Sequence, residues 1–93
     1  MKQIDGWSLF LDCCNKSNKN NRLDDFLSIF LTHEERDAIA DRCVIIKDLL
    51  DAECSQRELS RQRQVSIAKI TRGSNVLKTM DEQTINWLKK IMA

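Results

Sequence analysis

A chain of 93 residues with no proline, two glycines and a formal charge of +1 has the composition of one small, helical domain. No window approaches the roughly 20 apolar residues of a membrane span, and the N-terminal stretch, broken by Asp12, is too polar for a secretory signal. A soluble cytoplasmic protein is therefore expected, and one short enough to gain from a partner subunit, since such a chain alone buries only roughly 60–65% of its unfolded surface.

Six helices are predicted. The first, at about 7–16, can be capped by Asp5 and carries Trp7, Phe10, Leu11 and Cys14 on one face; the Asn-rich run at 15–21 is expected to end or fray it. The second, at about 23–30, carries Phe26, Leu27 and Phe30. Thr32 and Glu35 form a capping box for the third, which runs to about residue 52 with Glu34, Glu35 and Asp37 in its first turn, where the helix dipole favours acids. Its apolar positions, Ala38, Ile39, Cys43, Ile46, Leu49 and Leu50, recur at helical spacing, and Val44 and Ile45 widen the stripe. A stripe that wide predicts burial on more than one side.

Ser55 with Glu58 opens a fourth helix at about 56–63, and Ser66 caps a fifth at about 67–77. Thr79 and Glu82 form a third capping box, predicted to start a last helix at about 81–91 with Ile85, Leu88 and Ile91 as its stripe. Helices four and five have the layout of a helix-turn-helix, whose second helix enters the major groove of DNA. Ile67, Ile70 and Leu77 can face inward, leaving Lys69, Thr71, Arg72 and Ser74 to point elsewhere. The turn, Gln64-Val65-Ser66, has no glycine. A left-handed Gln64 would cost on the order of 1 kcal/mol and leave a less stable reading head.

Charge is strongly polarised. Residues 55–78 hold six basic side chains and one acid, whereas the rest of the chain holds nine basic and thirteen acidic ones. A phosphate backbone would be drawn to that one segment; a solvated charged hairpin in a helical bundle is the alternative. Cys13, Cys14, Cys43 and Cys54 show no C-x-x-C spacing, and the only histidine, His33, is far from them in sequence, which argues against a metal site. They read as reduced thiols serving as small hydrophobes, with Cys54, at a helix junction, expected to be exposed. No candidate nucleophile has a plausible base, and pairs such as Asp24-Asp25 read as solvated helix-start charges, so no enzyme is expected.

The run Ile67-Ala68-Lys69-Ile70-Thr71-Arg72-Gly73-Ser74-Asn75, preceded by Ser55-Gln56-Arg57-Glu58-Leu59, closely resembles the bacterial tryptophan repressor family. Its Thr71–Asn75 portion is specific to that family rather than to helix-turn-helix proteins in general. Leu31-Thr32-His33-Glu34-Glu35-Arg36, followed by Arg42, resembles the start of the family's long central helix, and Trp7 and Trp87 fall where tryptophans occur in its best-known members. The resemblance covers nearly the whole chain; only the extended N-terminal arm of longer members has no counterpart.

The resemblance implies an all-α, six-helix intertwined homodimer with a helix-turn-helix, binding double-stranded operator DNA when L-tryptophan is present as corepressor, with no further cofactor. Helices one to three and six would form a shared core, and tryptophan would wedge between that core and each reading head. Arg42 and Arg72 match the arginines that flank the indole, a role suited to a planar guanidinium. Thr32 matches a hydroxyl at the carboxylate end, Ile29 and Leu31 match residues whose carbonyls receive the ammonium, and Gly73 matches a close backbone approach. Two positions depart from the family: Val76 replaces a serine that helps hold the ammonium, and Lys69 replaces a small hydroxyl residue lining the pocket. An ion pair with an acid one turn away is the alternative role for Arg42. The matching DNA-facing positions are Gln56, Arg57, Ser60, Ile67, Ala68, Thr71, Ser74, Asn75 and Lys78, with operator contacts largely water-mediated in the tryptophan repressor itself. Ser60 stands where relatives can carry a basic residue, a loss that Arg61 or Arg63 could offset. A constitutive DNA binder of the same fold that does not sense tryptophan is the runner-up function, and a purely structural helical dimer would bind no DNA at any salt concentration.

Overall fold

The computed structural model describes residues 3–51 and 55–93. All regular structure among them is helical: α1 (Gly6–Lys19), α2 (Leu23–Phe30), α3 (His33–Asp51), α4 (Gln56–Arg63), α5 (Ile67–Lys78) and α6 (Glu82–Met92). The six predicted helices are all present. The expected end of α3 near residue 52, and Cys54, lie outside the described residues. Two compact units divide between Arg36 and Asp37.

In the first unit, Asp5 caps α1 as predicted. Its Oδ1 accepts from the Trp7 and Ser8 amides at 3.1 and 3.4 Å, and its Oδ2 from the Ser8 hydroxyl at 2.8 Å. The Ser8 hydroxyl, then the Ser8 amide, hold the Asp5 carboxyl below its ordinary value. α1 runs past its predicted end near residue 16 and stops at Lys19, inside the polar run expected to end it. Asp12 pairs with Lys16 at 2.9 Å, and Asn21 adopts φ 58°, a left-handed conformation that asparagine tolerates. Asn21 N–H then bonds to Asn18 C=O at 3.0 Å and Arg22 N–H to Ser17 C=O at 2.8 Å. These bonds close the helix end in a Schellman motif. Aromatic contacts join α1 to α2: Phe10 lies 5.7 Å from both Trp7 and Phe26, and Phe26 lies 4.6 Å from Phe30, centroid to centroid. No side chain of either helix is fully buried, and Trp7 remains 67% exposed.

The Thr32 capping box forms in both directions, Glu35 N–H to Thr32 Oγ1 at 3.1 Å and Thr32 N–H to Glu35 Oε1 at 2.9 Å. In the second unit, α3 fully buries only Ile45, so the burial on more than one side expected from its wide stripe is not seen among the described residues. Ile45, Leu59 and Ile70 form the buried core, with Leu49 and Val65 packed against them. Ile39, Cys43 and Val44 are exposed. Gly73 lets α5 approach α3 closely: a Cβ there would lie 3.1 Å from Ile45 Cγ2 and 3.4 Å from Leu49 Cδ1.

Ser55 accepts from Glu58 N–H at 3.1 Å and Ser66 from Lys69 N–H at 3.2 Å, fixing the starts of α4 and α5. Between them Gln64 adopts φ 55°, ψ 38°, the left-handed geometry expected of this glycine-free turn. The predicted box at Thr79 and Glu82 is corrected. Thr79 instead closes α5, its hydroxyl donating to Val76 C=O at 2.7 Å, while Asp81 caps α6 by accepting from Thr84 N–H at 2.7 Å. A second capping signature, Asp81 to Thr84, overlaps the first in sequence, and an ionised carboxylate makes the stronger bond at a helix N-terminus. Lys47 Nζ reaches the last turn of α6, donating to Met92 C=O at 2.8 Å.

Candidate functional site

α3 and α5 approach closely at Gly73, and both line a cavity of about 330 Å³. Ala38, Asp41, Arg42, Ile45 and Ile46 line it from α3, and Lys69, Arg72, Gly73 and Val76 from α5. The positions on each helix follow steps of three and four residues, so one face of each helix supplies its wall. The volume suits a small organic ligand, and apolar side chains form the floor beneath charged ones, the usual build of such sites.

Five of the eight residues assigned to the ligand come together here: Arg42, Lys69, Arg72, Gly73 and Val76. Ile29, Leu31 and Thr32 belong to the first unit. Ile29 is 78% exposed on α2, Leu31 is half-buried at the C-cap of α2, and the Thr32 oxygen accepts the Glu35 amide. Among the described residues no acid pairs with Arg42 or Arg72, so the surface ion pair considered for Arg42 is absent there.

Sequence reasoning missed Asp41. Its carboxylate accepts from Lys69 Nζ at 3.1 Å, an ion pair that spans the cavity from α3 to α5. The signal was available only as the i, i+4 relation of Asp41 to Ile45, which puts both on the face that meets α5. Lys69 is thus paired at the cavity rather than free on the reading surface.

On the outer side of the reading head, Arg57, Ile67, Ala68, Thr71, Asn75 and Lys78 are exposed, while Gln56, Ser60 and Ser74 are half-buried. Thr71 Oγ1 and Gln56 Oε1 meet at 3.3 Å, linking the first turn of α4 to α5. Ser60 does not present its hydroxyl to solvent: the O–H donates to Val65 C=O across the turn, and Val65 N–H returns to Ser60 C=O at 3.3 Å. Arg63, named as one substitute for a phosphate contact at position 60, instead forks onto Asp48 of α3, at 2.7 and 3.1 Å. Asp48 is only 15% exposed at its side chain, so this pair is the better shielded of the two bridges from α3 to the reading head. Two of the six basic side chains of segment 55–78 are therefore partly neutralised by α3, leaving Arg57, Arg61, Arg72 and Lys78 as its unpaired cations among the described residues.

No helix among the described residues is long and apolar enough to cross a membrane, and no cluster of His, Cys, Asp and Glu there could hold a metal ion. Cys13 and Cys14 are half-buried free thiols, and Cys43 is exposed.

Comparison with known proteins converges on one family. The Trp repressor protein family model matches residues 5–92. A Trp operon repressor homolog of Chlamydia trachomatis serovar D is 47% identical over 85 residues, spanning 91% of this chain and 90% of that protein. A Trp operon repressor homolog of Haemophilus influenzae strain PittEE is 37% identical over 89 residues, spanning 96% of this chain and 88% of its own length.

Proposed function

The chain belongs to the Trp repressor family, whose members are DNA-binding regulators and not enzymes, and we propose that it represses transcription as a homodimer gripping operator DNA when L-tryptophan fills the α3–α5 cavity. The observation that carries this reading is the pair of unpaired arginines, Arg42 and Arg72, on opposite walls of a cavity with an apolar floor. Two planar guanidiniums can sandwich an indole and fork onto a carboxylate.

The dimer is supported by what each unit leaves uncovered. Trp7, Leu9, Leu11, Ile29 and Phe30 of the first unit and Ile39, Val44, Trp87 and Ile91 of the second are all large, apolar and exposed. A second copy of the chain, burying these faces in a shared core, is the occupant this reading requires. Sedimentation showing a folded monomer at micromolar concentration would refute it.

DNA binding would place α5 in the major groove with Ala68, Thr71, Ser74 and Asn75 toward base edges, and Arg57 and Lys78 toward phosphates. The test is a fluorescence anisotropy titration with duplex DNA selected from a random pool in the presence of tryptophan. Affinity should fall steeply with salt and drop without tryptophan. Arg57→Ala should weaken binding to every sequence and flatten the log–log salt slope by about one per subunit. Equal affinity with and without tryptophan would establish the constitutive reading. The Lys69–Asp41 bridge is the observation that favours that second reading, because the chain's own side chains tie α5 to α3 there.

A further inference from the structure

We infer that Asp48 is a positioning residue for DNA recognition: by forking onto Arg63 it holds the turn between α4 and α5 against α3, and so fixes the angle at which α5 is presented. This rests on the reading of α4 and α5 as the DNA-binding head and is independent of tryptophan. The head meets α3 through a small core. Leu59 is the one buried residue of α4, and it shares that core with Ile45 and Ile70. So few buried apolar contacts resist separation of the helices better than they resist rocking.

The Asp48–Arg63 bridge acts one turn away from that core. Arg63 ends α4, a turn beyond Leu59 on the same face and immediately before the left-handed Gln64. Asp48 stands a turn beyond Ile45 on α3. The two bonds of the fork, at 2.7 and 3.1 Å, fix direction as well as distance. The Asp48 side chain is largely shielded, so salt screens the pair less than it screens a surface pair. The Asp41–Lys69 bridge reaches α5 just past the same turn. Asp41 and Asp48 stand two turns apart on α3, roughly 10 Å along its axis, with Ile45 between them. The turn is thus held on both sides, and rocking of the head about Ile45 has to break an ion pair. DNA read by α5 accepts only the aligned head, so apparent affinity falls with the fraction of time the head is aligned. Charge alone predicts the opposite sign: Asp48→Asn removes a negative charge and would tighten the grip on any phosphate backbone. Arg63→Lys keeps the charge and loses only the fork.

The experiment is fluorescence anisotropy with the duplex selected from a random pool and with a scrambled duplex of the same length, at saturating tryptophan and one salt concentration. Wild type, Asp48→Asn, Arg63→Lys and the double variant Asp48→Asn/Arg63→Lys are compared at a temperature where circular dichroism shows them folded. The two single variants read the bond from either side, so one that folds poorly leaves the other to decide. Each should bind the selected duplex about fivefold or more weaker than wild type, and the scrambled duplex as tightly as wild type or tighter. The double variant should be no weaker than the weaker single one, because the two residues act through one bond. Unchanged or tighter binding of the selected duplex, a loss of equal size on both duplexes, or losses that add in the double variant would each overturn the positioning role and leave DNA binding intact. Equal affinity of wild type for the two duplexes would overturn sequence-specific DNA binding itself, and this assignment with it.

Discussion

Replacing Gly73 by alanine sets two effects of similar size against each other, and the structure says which is larger. Alanine is favoured over glycine in a helix interior by about 0.8–1 kcal/mol. Gly73 is helical with no positive φ, so alanine meets no backbone strain. Against this stands the space the new Cβ would enter, 3.1 Å from Ile45 Cγ2, 3.4 Å from Leu49 Cδ1 and 3.9 Å from Ile46 Cγ1. Ile45 is 2% exposed and belongs to the small buried core with Leu59 and Ile70, so it cannot swing aside. α5 must instead move away from α3 by a few tenths of an ångström, and overpacking of this kind costs about 1–3 kcal/mol. The balance is a net loss of about 1 kcal/mol, or a Tm lower by roughly 4–8 °C for a domain of this size. Thermal unfolding followed by circular dichroism at fixed protein concentration reads this directly. Gly6→Ala is the internal control, since nothing lies within 4 Å of a Cβ there. A Gly73→Ala protein that melts higher than wild type would refute the reasoning, showing that the helix crossing is soft enough to absorb a methyl group.

Arg42→Ala and Arg72→Ala should each abolish measurable tryptophan binding in calorimetry while leaving helical content unchanged, and lysine at either position should also weaken it by losing the flat, forked guanidinium. Val76→Ser should tighten tryptophan binding by about 1 kcal/mol, as a hydroxyl gives the ammonium one more acceptor, with no gain for indole-3-propionate. Gln64→Gly should raise the denaturation midpoint by about 1 kcal/mol equivalent, because glycine occupies φ 55° without the penalty a side chain incurs. Hydrogen bonds from the Thr84 hydroxyl, then the Thr84 amide, hold the Asp81 carboxyl below its ordinary value of 3.8. The folded pKa is depressed, so the stability it confers is full above that ordinary value and is lost as pH falls through the folded one. Asp81→Asn keeps a capping acceptor but should flatten this acid limb in a Tm-against-pH series.

What was legible in the sequence was local. Asp5, Thr32, Ser55 and Ser66 cap the helices they precede in sequence, because a cap needs only the two or three residues that follow it. The left-handed turn at Gln64 was legible from the helix-turn-helix layout, whose turn commonly needs φ > 0. The end of α1 was harder to read, since Asn20 and Asn21 serve equally well as loop residues and as a Schellman terminus. Thr79 and Asp81 each open a three-residue capping spacing, and only the hydrogen bonds decide between them. The two bridges from α3 to the reading head were out of reach. Asp41 and Lys69 are 28 residues apart, and Asp48 and Arg63 are 15 apart. Their pairing depends on how α3 crosses α4 and α5, which no periodicity encodes. For the same reason the arginines of the pocket came from family resemblance, whereas Asp41, which departs from no quoted motif, came only from the packed helices.

The turn between α4 and α5 makes positions 60 and 64 interdependent. A glycine at 64 would hold a left-handed turn unaided, and residue 60 would then be free to carry a lysine toward the DNA backbone. With glutamine at 64, the Ser60 hydroxyl is drawn inward to the Val65 carbonyl and fastens the turn from within. On the proposed DNA-binding reading, a lysine introduced at 60 alone would gain a phosphate contact at the expense of the Ser60–Val65 bond that ties the bend before α5. Introduced together with glycine at 64, it would keep both. The order in which two such substitutions arise thus decides whether the first is tolerated: glycine at 64 opens the route, and lysine at 60 closes it.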